Sequence, residues 1–556
     1  MRPATATGSG SARAGEDFWV AVLPFRAANG DAELEALADG LSEDVTTGLA
    51  RFPYLQVIAH HSAMVYKGRA ADIRAVGREL GARYVIEGSI RKRGRAIRVS
   101  AQLMDAASGT QLWAEAYDRE IGDAGTFQIQ DDLTDHIVTS VADGYGVLVR
   151  SMAAPTRDRK VEELSASELV LRYYAFMQQV DPEEHAALRA GLERALEREP
   201  NYATAWACLS NLYLLEYADG FNPLEKPMER AEEAAWRAVK IDPACQMAWK
   251  LLAAAHFFRR DFTSFRETAE RAMALNPRDG TTLAYVGIMM AFSGDWERGV
   301  ALVQRAMDLN RHHPGWYHNA SFHLHYRKGE YEAALQAAKK INMPEYHWMH
   351  LTIAAACGMR GRHEEARTAI ASLRKYNPTF LDLENVREEL TRWDPDKGEV
   401  ERFMQGLQKA GLKYGSADSA VTEIEPKLKR DPTAAPGEAT DSGRMRVDRK
   451  DSGASRADEG FWVAVLPFKS AGGNTDIAAL EEGLTEDIVT GLSRFSYLRV
   501  IARSSTSRFA SESGDVRAVG KELGALCDGG EPAPGRDEAP ACGAAGGREF
   551  RGPPLG

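Results

Sequence analysis

The chain has 556 residues, more than the roughly 250–300 at which single cores stop growing, and its 44% hydrophobic and 27% charged residues are a globular balance. A net charge of −11 argues against a dedicated nucleic-acid surface, and five cysteines without metal-like spacing exclude a disulfide framework or a zinc site. The longest uncharged apolar stretch, Gly280 to Gly294, is shorter than the roughly 18–20 residues of a membrane span, and the opening MRPATATGSGSARAGED has no apolar signal region.

Residues 1–16 read as a disordered leader and 17–145 as an α/β domain. Val20–Phe25 is an apolar, β-branched run ending at Pro-Phe, which predicts a buried strand. Leu34, Leu37, Leu41, Val45 and Leu49 follow at helical spacing. Leu55–Ala59 predicts a second short strand. Asp72 is placed to cap a helix bearing Ile73, Val76 and Leu80, which Gly81 closes. From Tyr84 the pattern alternates with Ile86, Ile97, Val99, Ala101 and Leu103, broken by a basic turn at Arg91–Arg95 and a Ser108-Gly109 turn into a third strand. A helix from Phe127 to Val141 finishes the domain.

These motifs in this order (AVLPF, GLSED, RFPYLQVIA, DIRAVGRELGARYVIEGSIR, AQLMDAASGTQLWAEAYDR) resemble the TolB amino-terminal-like, or FlgO-like, domain over residues 18–145. The resemblance implies a bacterial regulator in which this domain is fused to tetratricopeptide repeats, often behind a class III adenylate cyclase or a CadC-like winged helix. Neither of those modules is visible in this chain, so neither activity is carried over. A cytoplasmic location is expected; a membrane segment upstream in relatives would instead put these modules on the periplasmic side.

Residues 165–413 change to helical periodicity with a repeat. Segment ends recur at VKIDP (Pro243), MALNP (Pro277), MDLN (Asn310), KKINMP (Pro344) and RKYNP (Pro378), with 34 residues from Pro243 to Pro277 and from Pro344 to Pro378. That interval is the tetratricopeptide period, and it predicts an all-α solenoid of five or six helix pairs. Trp206 and Trp249 take the family's first-helix aromatic position, Gly287 its small-residue slot, and Ala238, Ala272 and Ala306 its second-helix alanine. YADGFNPLEKP is inserted between the helices of one pair. By the family's register the candidate peptide groove includes Asn211, Lys250, Phe257, Phe292, His318, Phe322 and His325. The competing reading is that Phe292 and Phe322 seal the packing between pairs.

Residues 414–459 are Ser-, Gly-, Pro- and charge-rich and read as a flexible linker. Phe461–Ala525 then aligns without a gap to Phe18–Ala82, with more than half the positions identical. Residues 460–526 therefore read as a truncated second α/β copy. The tail, 527–556, loses all resemblance in its own frame. Joining the last two bases of each tail codon to the first of the next permits VMEGSLRQAGTKLRLAVQLVDASSGAHLW, beside VIEGSIRKRGRAIRVSAQLMDAASGTQLW from Val85. A frameshift accounts for this, in the gene or in its sequencing, and predicts a disordered tail.

Chemistry is sparsely signalled. Glu43 and Asp44, repeated as Glu486 and Asp487, are adjacent on a helix and diverge, whereas a working pair sits three or four residues apart. Arg91, Lys92, Arg93 and Arg95 lack the interleaved aromatics of a nucleic-acid surface. His318 and His325, and His347 and His350, have ligand-like spacing without cysteine or carboxylate support. With no phosphate loop, HExxH or GxSxG, no catalytic residue, metal or cofactor is expected. The expected function is a non-catalytic scaffold or sensory module holding a protein or peptide partner, its oligomeric state open. One alternative is a small-molecule or nucleotide-responsive regulator using the α/β domain, against which the absence of a Gly-rich loop after Phe25 counts. Another is a frameshifted product without a retained role.

Overall fold

A computed structural model describes residues 19–27, 31–69, 72–121 and 125–415, and beyond them 461–466, 484–485, 488–492, 498–501 and 506. The expected leader 1–16, nearly all of the expected linker, most of the second copy and the whole tail 527–556 lie outside the described residues. The chain divides into two units, one of residues up to Ala142 with Gly146–Pro155 and the residues from Arg456, the other of Asp143–Tyr145 with Thr156–Ser455.

The first unit is α/β. Its elements are β1 (Trp19–Val22), β2 (Arg26–Ala27), α1 (Ala32–Leu49), β3 (Gln56–Val57), α2 (His60–Ala63), α3 (Ile73–Leu80), β4 (Tyr84–Arg93), β5 (Ala96–Asp105), β6 (Thr110–Glu120), α4 (Gly125–Ala142), α5 (Val147–Ala153), β7 (Phe461–Val463) and β8 (Leu498–Ile501). The sheet runs β3-β1-β4-β5-β6-β8-β7, with β2 beside β4. β1 is parallel to β3 and β4, while β4, β5 and β6 form an antiparallel meander. β8 joins the outer edge of β6 antiparallel, Thr110 facing Ile501, and pairs parallel with β7.

The sequence patterns explain these elements. Leu34, Leu37, Leu41, Val45 and Leu49 are all buried, one apolar stripe down α1. Asp31 caps α1 through bonds from the Glu33 and Leu34 N–H groups. The Asp72 carboxylate accepts from Arg74 N, and Gly81 ends α3 at φ +67°, a left-handed conformation that costs glycine little. The first strand stops at Val22 rather than Phe25, because Pro24 has no N–H and Phe25 N donates instead to Ser42 Oγ at 2.8 Å.

The second unit is helical. Six consecutive hairpins are α6 (Ala166–Phe176) with α7 (Pro182–Arg198), α8 (Ala203–Ala218) with α9 (Pro227–Ile241), α10 (Gln246–Phe258) with α11 (Phe262–Leu275), α12 (Gly280–Phe292) with α13 (Trp296–Leu309), α14 (His318–Arg327) with α15 (Tyr331–Lys340), and α16 (His347–Arg360) with α17 (His363–Tyr376). Two further helices follow, α18 (Leu383–Trp393) and α19 (Lys397–Ala410).

The repeat chemistry is visible in the bonds. Trp206 Nε1 donates to Pro200 O at 2.8 Å and Trp249 Nε1 to Pro243 O at 2.9 Å, so each indole reaches back to the proline that ends the previous pair. Asp261 and Asp295 cap α11 and α13 through Ser264 N and Arg298 N, a bond class that contributes about 0.5–2 kcal/mol. Ala238, Ala272 and Ala306 are fully buried. A Cβ on Gly287 would stand 2.8 Å from Gly299 O, so nothing larger lets α12 and α13 touch here. The insertion after α8 is anchored by Glu216, a fully buried carboxylate that accepts from Arg189 Nη1 at 2.7 Å, from Arg230, and from Leu224 N at 3.0 Å.

Candidate interaction surface

The first helix of each pair supplies the wall on which a partner is expected, and the seven nominated residues divide into two groups. Phe257 and Phe322 are fully buried, and Phe292 and Asn211 nearly so. Phe257 packs edge-on against Phe258 and Phe265, Phe292 against Trp296 and His323, and Phe322 against His323 and Phe403. Asn211 donates from Nδ2 to Tyr173 OH at 2.7 Å. All four join helix to helix, because first helices are enclosed on several sides and not only at the groove, and Phe257 also meets Trp393 of α18.

Lys250, His318 and His325 are partly exposed. Lys250 Nζ lies 6.0 Å from the centre of the Tyr285 ring. His318 stands edge-on to His313, and burial lowers its pKa to about 4. His325 Nδ1 is 2.6 Å from Glu330 Oε2. Seven residues of helix separate the two histidines by about 10 Å of rise, so they form no common cluster.

Other side chains on the wall were not nominated. Tyr285 on α12, Asn319 on α14, Tyr346 before α16 and Asp219 after α8 are partly exposed. Asn319 Nδ2 donates to Tyr346 OH at 3.1 Å, and its Oδ1 has no hydrogen-bond partner among the described residues. Desolvation pushes the Asp219 carboxyl up to about 8, the Glu389 charge adds to this, and Arg392 opposes it. Burial raises both tyrosine hydroxyls, and the Asp219 charge raises them further. Asp219 and Tyr346, from pairs far apart along the chain, thus come within electrostatic reach. The one local signal for Asp219 is its place in the inserted segment.

Across this wall lies α18. Glu389 Oε1 accepts from Trp348 Nε1 at 2.6 Å and from His347 Nε2 at 2.8 Å, at the start of α16. Arg392 sits 5.8 Å over the Tyr217 ring, and Trp393 packs edge-on to Phe258 at 5.0 Å. Arg260 donates to the carbonyls of Thr391 at 2.7 Å, Arg392 at 2.8 Å and Trp393 at 3.4 Å, capping the end of α18 with a cation. One late helix thereby touches α8, α10 and α16, so part of the wall that carries the candidate groove is covered by the chain itself.

The remaining candidates have ordinary partners. His347 stacks on Phe380 at 4.0 Å, while His350 bonds Pro344 O and stacks on Tyr376. Glu43 is exposed, and Asp44 accepts from Gln130 Nε2 at 2.6 Å. In the basic turn, Lys92 pairs with Asp31 and Glu33, and Arg95 donates to Ile121 O. Among the described residues no group of three or more His, Cys, Asp or Glu is arranged to hold a metal ion, and no helix is long and apolar enough to cross a membrane.

The chain is similar to known proteins over parts of its length. Residues 16–136 match the family described as the HilA/YgeH-like transcriptional regulator, second domain. A Rhizobium meliloti (strain 1021) protein named putative adenylate cyclase 3 is 38% identical over 206 residues, 36% of this chain and 34% of that protein. The chain thus spans about a third of the length of this relative. Among solved structures, Cut9–Hcn1 of the APC/C aligns at 14% identity and TM-score 0.34, covering 48% of each chain. Pseudomonas aeruginosa PilF aligns at 16% and 0.29, covering 38% of this chain and 92% of its own. A tetratricopeptide repeat protein from Parabacteroides merdae aligns at 15% and 0.27, covering 46% and 97%.

Proposed function

We propose that the chain is a non-catalytic interaction module of a bacterial signalling protein, holding a protein or peptide partner on the inner wall of its repeats. The observation that carries this reading is the row of partly exposed polar and aromatic side chains, Lys250, Tyr285 and Asn319, offered by successive first helices of a six-hairpin array. Likeness over a third of its length to a protein named adenylate cyclase supports a signalling context. The α/β unit is read as TolB-like in architecture and regulatory in role, a reading compatible with the regulator family that matches it. Residues 460–526 are read as a truncated second copy, since β7 and β8 repeat the parallel pairing of β1 and β3.

Affinity capture with the full chain tests the proposal. One specific partner protein should be recovered, and Lys250→Glu or Tyr285→Ala should abolish its recovery while the fold persists. Equal capture by both variants removes the wall as the site. Stabilisation by several degrees with a nucleotide, and no protein partner, would favour the small-molecule alternative.

A further inference from the structure

We propose that the inner wall is a helix-docking site that α18 occupies from within, and that its outside partner is an amphipathic helix with the signature of α18: a carboxylate followed three and four residues later by Arg and an aromatic residue (Glu389, Arg392, Trp393). The existence of an outside partner rests on the interaction reading above; the occupancy by α18 rests on its own contacts.

Through Leu383, Val386 and Leu390, α18 shares one buried apolar cluster with α14, α16 and α19, while its polar and aromatic end reaches beyond that cluster. α19 lies so close to α16 that a Cβ on Gly358 would stand 2.0 Å from Gly406 O, while Tyr326 OH donates to Arg402 O and Phe403 packs with Phe322 and Trp348. Between α17 and α19 the chain makes an excursion that returns over more than a hundred residues to α8 and α10. The contacts on that return are those of a bound ligand. An aromatic anchor enters the Phe257–Phe258 surface, a guanidinium lies on Tyr217, and a carboxylate takes two donors at the start of α16. Leu383, Val386 and Leu390 turn one apolar stripe inward. Arg260 stands in the α10–α11 turn at φ +64°, where Gly294, Gly329 and Gly361 take positive φ in the later hairpins, and its side chain reaches the three carbonyls that end α18.

The test uses the full chain and a labelled synthetic peptide of residues 382–395, read by fluorescence polarisation. The unaltered chain should bind the peptide weakly, its site being filled. The double variant Arg392→Ala/Trp393→Ala, and separately Arg260→Ala, which leaves α18 unaltered, should release α18. The double variant should then bind the peptide at least tenfold more tightly, and should not bind a peptide carrying Trp393→Ala. Hydrogen exchange supplies the second readout: in the unaltered chain, residues 383–393 should exchange faster than 397–410, and faster again in Arg260→Ala. A double variant that keeps its helical circular dichroism yet gains no affinity overturns the proposal, as does protection of 383–393 equal to that of α19. Peptide binding by the double variant, with no cellular partner captured by that same variant, would leave the docking site standing and refute the interaction reading instead.

Discussion

His323 sits among aromatic rings, edge-on to Phe292 and Phe322 at 5.0 Å and stacked on Phe403 at 6.0 Å, with 8% of its surface exposed. Burial, reinforced by the Arg327 charge one turn on, holds its pKa down at about 3 against an ordinary 6.5. The folded state therefore keeps this imidazole neutral down to acid pH, while the unfolded chain takes up a proton from about pH 6.5. Stability contributed by the neutral ring is fully present above pH 6.5 and is lost as pH falls toward 3. At pH 5 the unfolded state gains about 2 kcal/mol from this proton. Urea unfolding followed by circular dichroism at 222 nm reads the effect, and His323→Leu supplies the subtraction, since every other titrating group is common to both chains. The unaltered chain should lose about 2 kcal/mol more than the variant between pH 7.5 and pH 5. Parallel losses would show that the ring protonates within the fold, and the account of its enclosure would fail.

Phe322→Ala should destabilise the helical unit by about 3–5 kcal/mol in urea, the range for emptying a buried aromatic site, and not merely weaken partner capture; a cost under about 1 kcal/mol would return Phe322 to the surface. Gly358→Ala should lower the same midpoint by an amount worth about 1–3 kcal/mol, because the new methyl meets the Gly406 carbonyl and not a side chain that can turn away. Glu216→Gln should cost about 3–5 kcal/mol by stranding Arg189 and Arg230, and thermal unfolding of the variant tests whether the triad carries the insertion. Resequencing the locus should uncover an uninterrupted second copy in the shifted frame; DNA that lacks it ends the frameshift reading.

Much of the architecture is written locally. The Asp72 and Gly81 signals bound α3 to the residue, and the 34-residue interval places the helix hairpins, because caps and tight helix contacts are set by residues close in sequence. The site is less legible. α10 is buried almost all round, so its periodicity gives no hint that Phe257 points to neighbouring helices while Lys250 stays partly open. The spacing of Leu383, Val386 and Leu390 marks α18 as a helix with one apolar side, but its landing place on Phe258 and Tyr217 is a meeting of distant segments. No nearby residue announces it.

The two attachments of α18, to Arg260 in the third hairpin and to His347 and Trp348 in the sixth, measure the distance between them. Two complete hairpins, α12/α13 and α14/α15, lie in that interval. Inserting or deleting one would leave an eleven-residue strut too short or too slack to reach both ends.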